Sequence, residues 1–267
     1  MALYIGTSGW AYPEWKTQNG GEDNPVRPGF YPHDLPATQW LEHYARTLSA
    51  CEINVTFRNT QSDETYARWA HSAPDEFRYA IKAHRRLTHV KQIAPEGPQQ
   101  DFLDEFLRSA AILGPRLGVV LFQFPPTRAR DDDGLAGLLL ALPDNHRYAF
   151  EFRHESWDHE AVHSQIASRN ATAVLSETTG APPCALPPGP FAYIRLRATK
   201  YSPRARKAWR LLLQEEGAMR DIYVFTKHEG VAADNPYGGV GLAQWLVLKT
   251  KLEHQPPRQP REMSGAG

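Results

Sequence analysis

A chain of 267 residues has room for one large domain or two small ones, and its 30 basic and 30 acidic side chains cancel, which excludes a global field drawing it to nucleic acid or to an anionic membrane. Only two cysteines occur, Cys51 and Cys184, without a CxxC partner; this excludes a disulfide framework and a cysteine zinc site and points to a reducing cytoplasm. No apolar run approaches the roughly 20 residues of a spanning helix, and Met1-Ala2-Leu3-Tyr4-Ile5 is too short for the apolar part of a signal peptide.

The first predicted strand is Leu3–Ser8. Apolar residues at Trp40, Leu41, Tyr44, Ala45 and Leu48 have helical spacing, so Thr38–Ser49 reads as a helix. Glu52–Phe57 is the second strand. Ser62 is a plausible cap for a helix running to His71. Arg78–Ala83 is the third strand, Asp101–Leu113 a helix stopped by Gly114-Pro115, and Leu117–Phe124 the fourth strand, closed by Pro125-Pro126. Asp133–Leu142 is helical, Arg147–Arg153 the fifth strand, His159–Ser168 a helix and Ala171–Glu177 the sixth strand. The seventh, Phe191–Arg197, follows a Pro-rich loop with no clear helix. Pro203–Glu215 is a helix with Pro at its start, Asp221–Lys227 the eighth strand and Gly238–Leu252 the last helix.

Eight strands alternating with helices predict an α/β fold: a single TIM-type (β/α)8 barrel over residues 1–254, irregular around strands 6 and 7. Gln255–Gly267, rich in Pro, Arg, Gly and Ser, is expected to be a disordered tail. An open doubly wound sheet is the competing arrangement, but Gly6-Thr7-Ser8-Gly9 lacks the GxGxxG spacing of its phosphate turn.

Side chains along a strand alternate faces. In a barrel one face meets the helices and the other the interior. In the fifth strand Phe150 and Phe152 suit the helix layer, which turns Glu151 and Arg153 inward. The same parity groups Glu52 with Asn54, Lys82 with His84, Arg195 with Arg197 and Phe225 with Lys227, and puts Gln123 inside. The first strand ends at Thr7-Ser8 and the sixth at Ser176-Glu177. Ionisable groups packed near one axis are costly unless they pair or meet a ligand. One account is a structural salt-bridge network of Lys82, Arg153 and Arg195 with Glu52 and Glu151. The other is a ligand site at the C-terminal rim, where barrel sites lie.

The cluster is net positive: Lys82, Arg153, Arg195, Arg197 and Lys227, with His84, His154 and His228 nearby, outnumber Glu52, Glu151 and Glu177. That favours a small anionic ligand carrying phosphate or carboxylate. Glu151, beside Arg153, is the first candidate for general acid or base, with Lys82 and Glu52 as further catalytic candidates. Ser8, Trp10, Tyr12, Asn54, His84, Gln123, Arg153, His154, Arg195, Arg197 and Lys227 are the candidate substrate contacts. A divalent metal on His84, His154, Glu52, Glu151 and Glu177 is an alternative that no HExxH or HxH spacing supports, so no residue is assigned to metal. Lys82 or Lys227 could form a Schiff base. Glu52 and Glu151 could form a glycosidase pair, although the positive surroundings disfavour a neutral sugar.

Trp10, Tyr12, Trp15, Phe30 and Tyr31 crowd the loop after the first strand. They form either a satellite core or a stacking wall over the pocket. Lys82–Lys91 (KAHRRLTHVK) is a solvated basic loop or a phosphate-backbone patch. Three functions follow: an acid/base enzyme on a small anionic substrate, a nucleic-acid binding or processing protein, or an anion binder without turnover. Nothing in the sequence points to a membrane partner or fixes an oligomeric state.

Several segments together resemble one family: Ile5-Gly6-Thr7-Ser8-Gly9-Trp10 with Tyr12 and Trp15; Phe30-Tyr31-Pro32; Glu52-Ile53-Asn54 with Thr56-Phe57; Phe77 to Lys82 with Thr88-His89; Gln123-Phe124-Pro125-Pro126; Glu151-Phe152-Arg153-His154 with Ser156-Trp157; and Tyr193-Ile194-Arg195-Leu196. In order and number they are similar to the DUF72, or YecE-like, family, from Leu3 to about Leu252. The resemblance implies a TIM-barrel fold and brings no assigned activity. Arg195-Leu196-Arg197-Ala198 and Lys227-His228-Glu229 depart from the RxHG-like stretch of many members and look like a subgroup pattern.

Overall fold

The computed structural model describes residues 1–19 and 27–252; the predicted tail, 255–267, lies outside them. Eight parallel strands close into a barrel in sequence order. They are β1 (Leu3–Thr7), β2 (Ala50–Ile53), β3 (Arg78–Lys82), β4 (Leu117–Gln123), β5 (Tyr148–Glu151), β6 (Ala171–Glu177), β7 (Phe191–Leu196) and β8 (Asp221–Thr226). Around them run α1 (Trp40–Thr47), α2 (Asp63–His71), α3 (Arg85–Thr88), α4 (Pro98–Ala110), α5 (Asp132–Ala141), α6 (Glu160–Ala167), α7 (Pro203–Gly217) and α8 (Gly239–Leu252). No described helix is long and apolar enough to cross a membrane.

Local chemistry sets the helix starts. Ser62 Oγ accepts from Thr65 N at 3.3 Å, Asp131 Oδ1 from Gly134 N at 2.8 Å, and Ser202 Oγ from Ala205 N at 3.1 Å, each satisfying an amide that the first turn leaves open. Pro98 and Pro203 stand in the first turns of α4 and α7, where no amide hydrogen is needed.

Several boundaries differ from the sequence expectation, most consequentially at two strands. The fifth is Tyr148–Glu151, not Arg147–Arg153. The second strand is Ala50–Ile53, not Glu52–Phe57. Thr56 Oγ1 donates to Ile53 O at 3.2 Å and Lys82 O at 2.7 Å, and Val55–Phe57 winds into a 3-10 turn. The loop after β3 adds α3, a short helix capped by His84. Between β6 and β7 the described residues contain no helix, the irregularity expected there.

The core has two parts. Ala50, Ala80, Val119, Leu121, Ala149, Phe191, Tyr193, Tyr223 and Phe225 fill the barrel. The opposite strand faces, including Ile53, Ile81, Val120, Phe122, Phe150, Ile194 and Val224, pack beneath the helices. At Gly6 β1 and β2 approach so closely that a Cβ would lie 1.7 Å from Ala50 O. The interior parity read from the strands is the one observed, and it carries the polar residues to the C-terminal end.

Candidate functional site

Above the apolar filling lies a layer of buried polar side chains. Arg195 is at its centre. Its Nη1 donates to Glu151 Oε2 at 2.5 Å and its Nη2 to Glu52 Oε1 at 2.9 Å, so one guanidinium joins carboxylates from β2 and β5. Glu52 also accepts from Tyr193 Oη at 2.8 Å and Asn54 Nδ2 at 3.0 Å. Glu151 also accepts from Gln123 Nε2 at 2.8 Å and Arg153 Nε at 2.9 Å. The strand register explains the first of these, since Gln123 pairs with Glu151; Arg153 stands two residues past the end of β5 and its Nε reaches back to the carboxylate.

Gln123 passes the network on. With its Nε2 committed to Glu151, its Oε1 faces Lys82 Nζ at 2.7 Å. That is the one hydrogen bond of the Lys82 amine among the described residues, and no carboxylate pairs with it there. The same nitrogen sits over the Phe57 ring, 4.0 Å from the centroid. The edge of His89 meets Phe57 at 5.0 Å, and His89 Nδ1 is 2.9 Å from Thr88 Oγ1.

These contacts divide the charges. Burial alone would raise the Glu151 carboxyl, but Arg195, Gln123 and Arg153 reverse that and hold it at about 2. Glu52 is lowered too: Arg195, Tyr193 and Asn54 outweigh its burial. Lys82 goes the other way. Desolvation, with Glu52 partly opposing and Arg195 adding repulsion, pulls it from 10.5 to about 8. His89 is lowered by desolvation and by the charges of Lys82, Arg85 and Arg153.

The remaining predicted site residues fall into groups. Arg153 is tethered by Nε alone; its side chain is 44% exposed and both terminal nitrogens lack partners among the described residues. Arg197 and Lys227, half-buried at the ends of β7 and β8, act with Glu229 and Glu14 on the half-buried His228, whose lowered pKa is due first to desolvation. His228 stacks on Tyr12 at 3.8 Å with 18° between the planes. Tyr12 Oη donates to Ser8 O at 2.5 Å, and Gly9, at φ 101°, makes room, since a Cβ there would lie 2.2 Å from that hydroxyl. Ser8 Oγ, Asn54 Oδ1 and Arg195 Nε are buried without a hydrogen-bond partner among the described residues. Such atoms inside a polar layer are sites where a ligand's donors and acceptors can engage.

His84 and His154 do not join the layer. Parity ends with the strands, and each histidine begins a helical turn instead. His84 Nδ1 accepts from Arg86 N at 3.1 Å while its ring packs on Phe102. His154 Nδ1 accepts from Ser156 N at 3.2 Å. Glu177 points to the outer face, where it accepts from Thr179 Oγ1 at 3.0 Å, Gly180 N and Tyr201 Oη at 2.6 Å. Among the described residues no three His, Cys, Asp or Glu groups converge as metal ligands. Trp15, Phe30 and Tyr31 are buried as part of the core beneath the helices, not as a satellite, with Tyr31 stacked on Trp40 at 4.9 Å. Only Trp10 and Tyr12 of that aromatic group remain half-exposed.

The sequence reading missed Phe57, His89 and Tyr193. Tyr193 was accessible through parity with Arg195. His89 had only its place in the basic run, and Phe57 was obscured by the misplaced end of β2.

The profile of the family described as "Protein of unknown function DUF72" matches residues 4–262. The chain belongs to the DUF72 family. Similar proteins include the UPF0759 protein YecE of Escherichia coli K12, 28% identical over 168 residues, which are 62% of this chain and 54% of YecE. The UPF0759 protein YunF of Bacillus subtilis 168 is 25% identical over 174 residues, 62% of this chain and 56% of YunF. The chain thus matches about half the length of these curated relatives. A solved DUF72 family protein of Thermotoga maritima superposes with a TM-score of 0.68 at 21% identity, covering 95% of this chain and 100% of that one. One from Enterococcus faecalis gives 0.68 at 15% identity, covering 96% and 99%. At such identities the likeness speaks for the DUF72 barrel fold alone.

Proposed function

We propose that this DUF72 protein is an enzyme that binds a small phosphate- or carboxylate-bearing substrate at the C-terminal end of its barrel and transfers a proton through Lys82. The state of that amine carries the reading. An acid or base works best when its pKa lies near the working pH, and Lys82, at about 8, meets that condition. Glu151 was the first candidate from sequence, but it accepts three hydrogen bonds, one from each of Gln123, Arg195 and Arg153, and is held at about 2, which makes it a weak base. Glu151 and Glu52 are therefore assigned to positioning Arg195 and, through Gln123, Lys82.

Arg153 supplies the anion contact. Its fixed Nε and open terminal nitrogens suit bidentate binding of a carboxylate or phosphate. Arg197 and Lys227 add positive charge across the rim, while Ser8 Oγ and Asn54 Oδ1 serve the substrate's polar groups. Base stacking has less support, because three of the five loop aromatics, Trp15, Phe30 and Tyr31, are buried.

A defined mixture of phosphorylated and carboxylated metabolites, incubated with the protein and followed by mass spectrometry, tests the proposal. One compound should be consumed, and Lys82→Met should slow that by at least about 100-fold. Arg153→Met should chiefly raise KM. Consumption by Lys82→Met at the wild-type rate would overturn the assignment. Binding without consumption would favour a binder, and a salt-sensitive gel shift at low ionic strength would favour nucleic acid.

A further inference from the structure

Lys82 is built as more than a proton carrier. A base needs a lone pair at the right pKa, whereas a nucleophile also needs that lone pair free of any carboxylate. Two carboxylates, Glu52 and Glu151, lie in the same layer, and either would hold Lys82 as an ammonium. Arg195 claims an oxygen of each, and Tyr193, Asn54, Gln123 and Arg153 occupy the rest. The one protein acceptor left to Lys82 is a neutral amide oxygen, Gln123 Oε1, fixed because the amide nitrogen of Gln123 is bound to Glu151. Phe57 shields the other side of the amine.

We infer that Lys82 forms an imine with a substrate carbonyl, and that the substrate class is a small 2-oxo acid or an aldehyde or ketone phosphate whose anionic group rests on Arg153. This rests on the anion-site reading above and names its substrate. The neutral Nζ attacks the carbonyl carbon, a C–N bond forms, and the π pair moves to oxygen, which takes a proton. The resulting carbinolamine passes the extra Nζ proton to solvent. With a second proton its hydroxyl then leaves as water, giving a protonated imine. The balance is carbonyl plus amine plus one proton to iminium plus water, with no oxidant or reductant. Solvent at the rim supplies and takes up these protons. The iminium then draws electrons from the adjacent C–H or C–C bond, the work a near-neutral lysine can do and a carboxylate base cannot.

Borohydride trapping tests it. The protein is incubated with pyruvate, or with pyridoxal 5′-phosphate as a coloured anionic aldehyde, reduced and mapped by peptide mass spectrometry. Hydride turns the iminium into a stable secondary amine. Lys82 should carry the label at least about tenfold above any exposed lysine. Neutral acetone should label it far less, and inorganic phosphate should protect it. Labelling should rise with pH through about 8. Gln123→Glu, which gives Lys82 a carboxylate partner, should move that rise to higher pH. Lys82→Arg, checked for folding by circular dichroism, should lose the specific label. A label spread over surface lysines, or unchanged in Lys82→Arg, overturns the imine. If trapping fails while Lys82→Met still abolishes metabolite consumption, the imine falls and the acid/base reading stands; if both fail, both fall.

Discussion

Replacing Arg195 with methionine would remove the one group that bridges both buried carboxylates. Arg195 is 3% exposed, Glu151 3% and Glu52 0%, so water cannot take over its role. Removing one partner from a buried ion pair costs about 3–5 kcal/mol, mostly because a charge is left unpaired. The pH dependence gives an independent figure. Glu151 is depressed from 4.5 to about 2. Its contribution is therefore complete above pH 4.5 and is lost as pH falls through that interval. At roughly 1.4 kcal/mol per unit this amounts to about 3 kcal/mol. Urea unfolding of wild type and Arg195→Met at pH 7 should differ by that order, and the gap should narrow below pH 4.5 as the variant's carboxylates take up protons sooner. Arg195→Lys, with one ammonium unable to fork between Glu52 and Glu151, should fall between them. A loss under about 1 kcal/mol at pH 7, or a gap that stays constant down to pH 3, would refute the account.

Other outcomes follow from the same contacts. Lys82→Met should raise the urea midpoint at neutral pH, because folding holds an amine whose charged form is disfavoured; in the wild type stability should climb between pH 8 and 10.5, and the variant should lose that climb. Glu177→Gln should cost about 1–3 kcal/mol and speed amide exchange across 178–186, since Glu177 ties down Thr179, Gly180 and Tyr201. Trp15→Ala should cost about 3–5 kcal/mol in thermal or urea unfolding by opening a cavity against Tyr12, Phe30 and Tyr31. Gly6→Ala should leave little folded protein in a soluble-expression assay, because its Cβ would strike Ala50 O.

The closed barrel and the inward parity of Glu52, Lys82, Glu151, Arg153 and Arg195 were legible because strand faces repeat with a period of two. Partners were legible in part. The expected network of Lys82, Arg153 and Arg195 with Glu52 and Glu151 is realised for both arginines, although Arg195 finds Glu52 143 positions away and Glu151 44 positions away. At such separations local pattern could not apportion the carboxylates, and Lys82 is left with the Gln123 amide instead. Parity also misled at His84, which it grouped with Lys82 but whose ring nitrogen caps the short helix that follows. At β2 the alternation of Val55 and Phe57 with Asn54 and Thr56 imitates a strand, and the bonds from Thr56 to Ile53 O and Lys82 O hold the chain in a turn instead.

The polar layer has a further effect, on strand alignment. Apolar residues stand on both faces of the fifth strand, so greasy contacts alone would tolerate a sliding error there. A slip of one position would turn Phe150 inward and push the Glu151 carboxylate against Phe122 and the helices outside. Its charge would then have no guanidinium to meet. The same holds for Glu52 in the second strand and Arg195 in the seventh. The ions at the mouth thus discriminate against every mispaired barrel, and a fold made largely of interchangeable aliphatic and aromatic strands acquires a single permitted alignment.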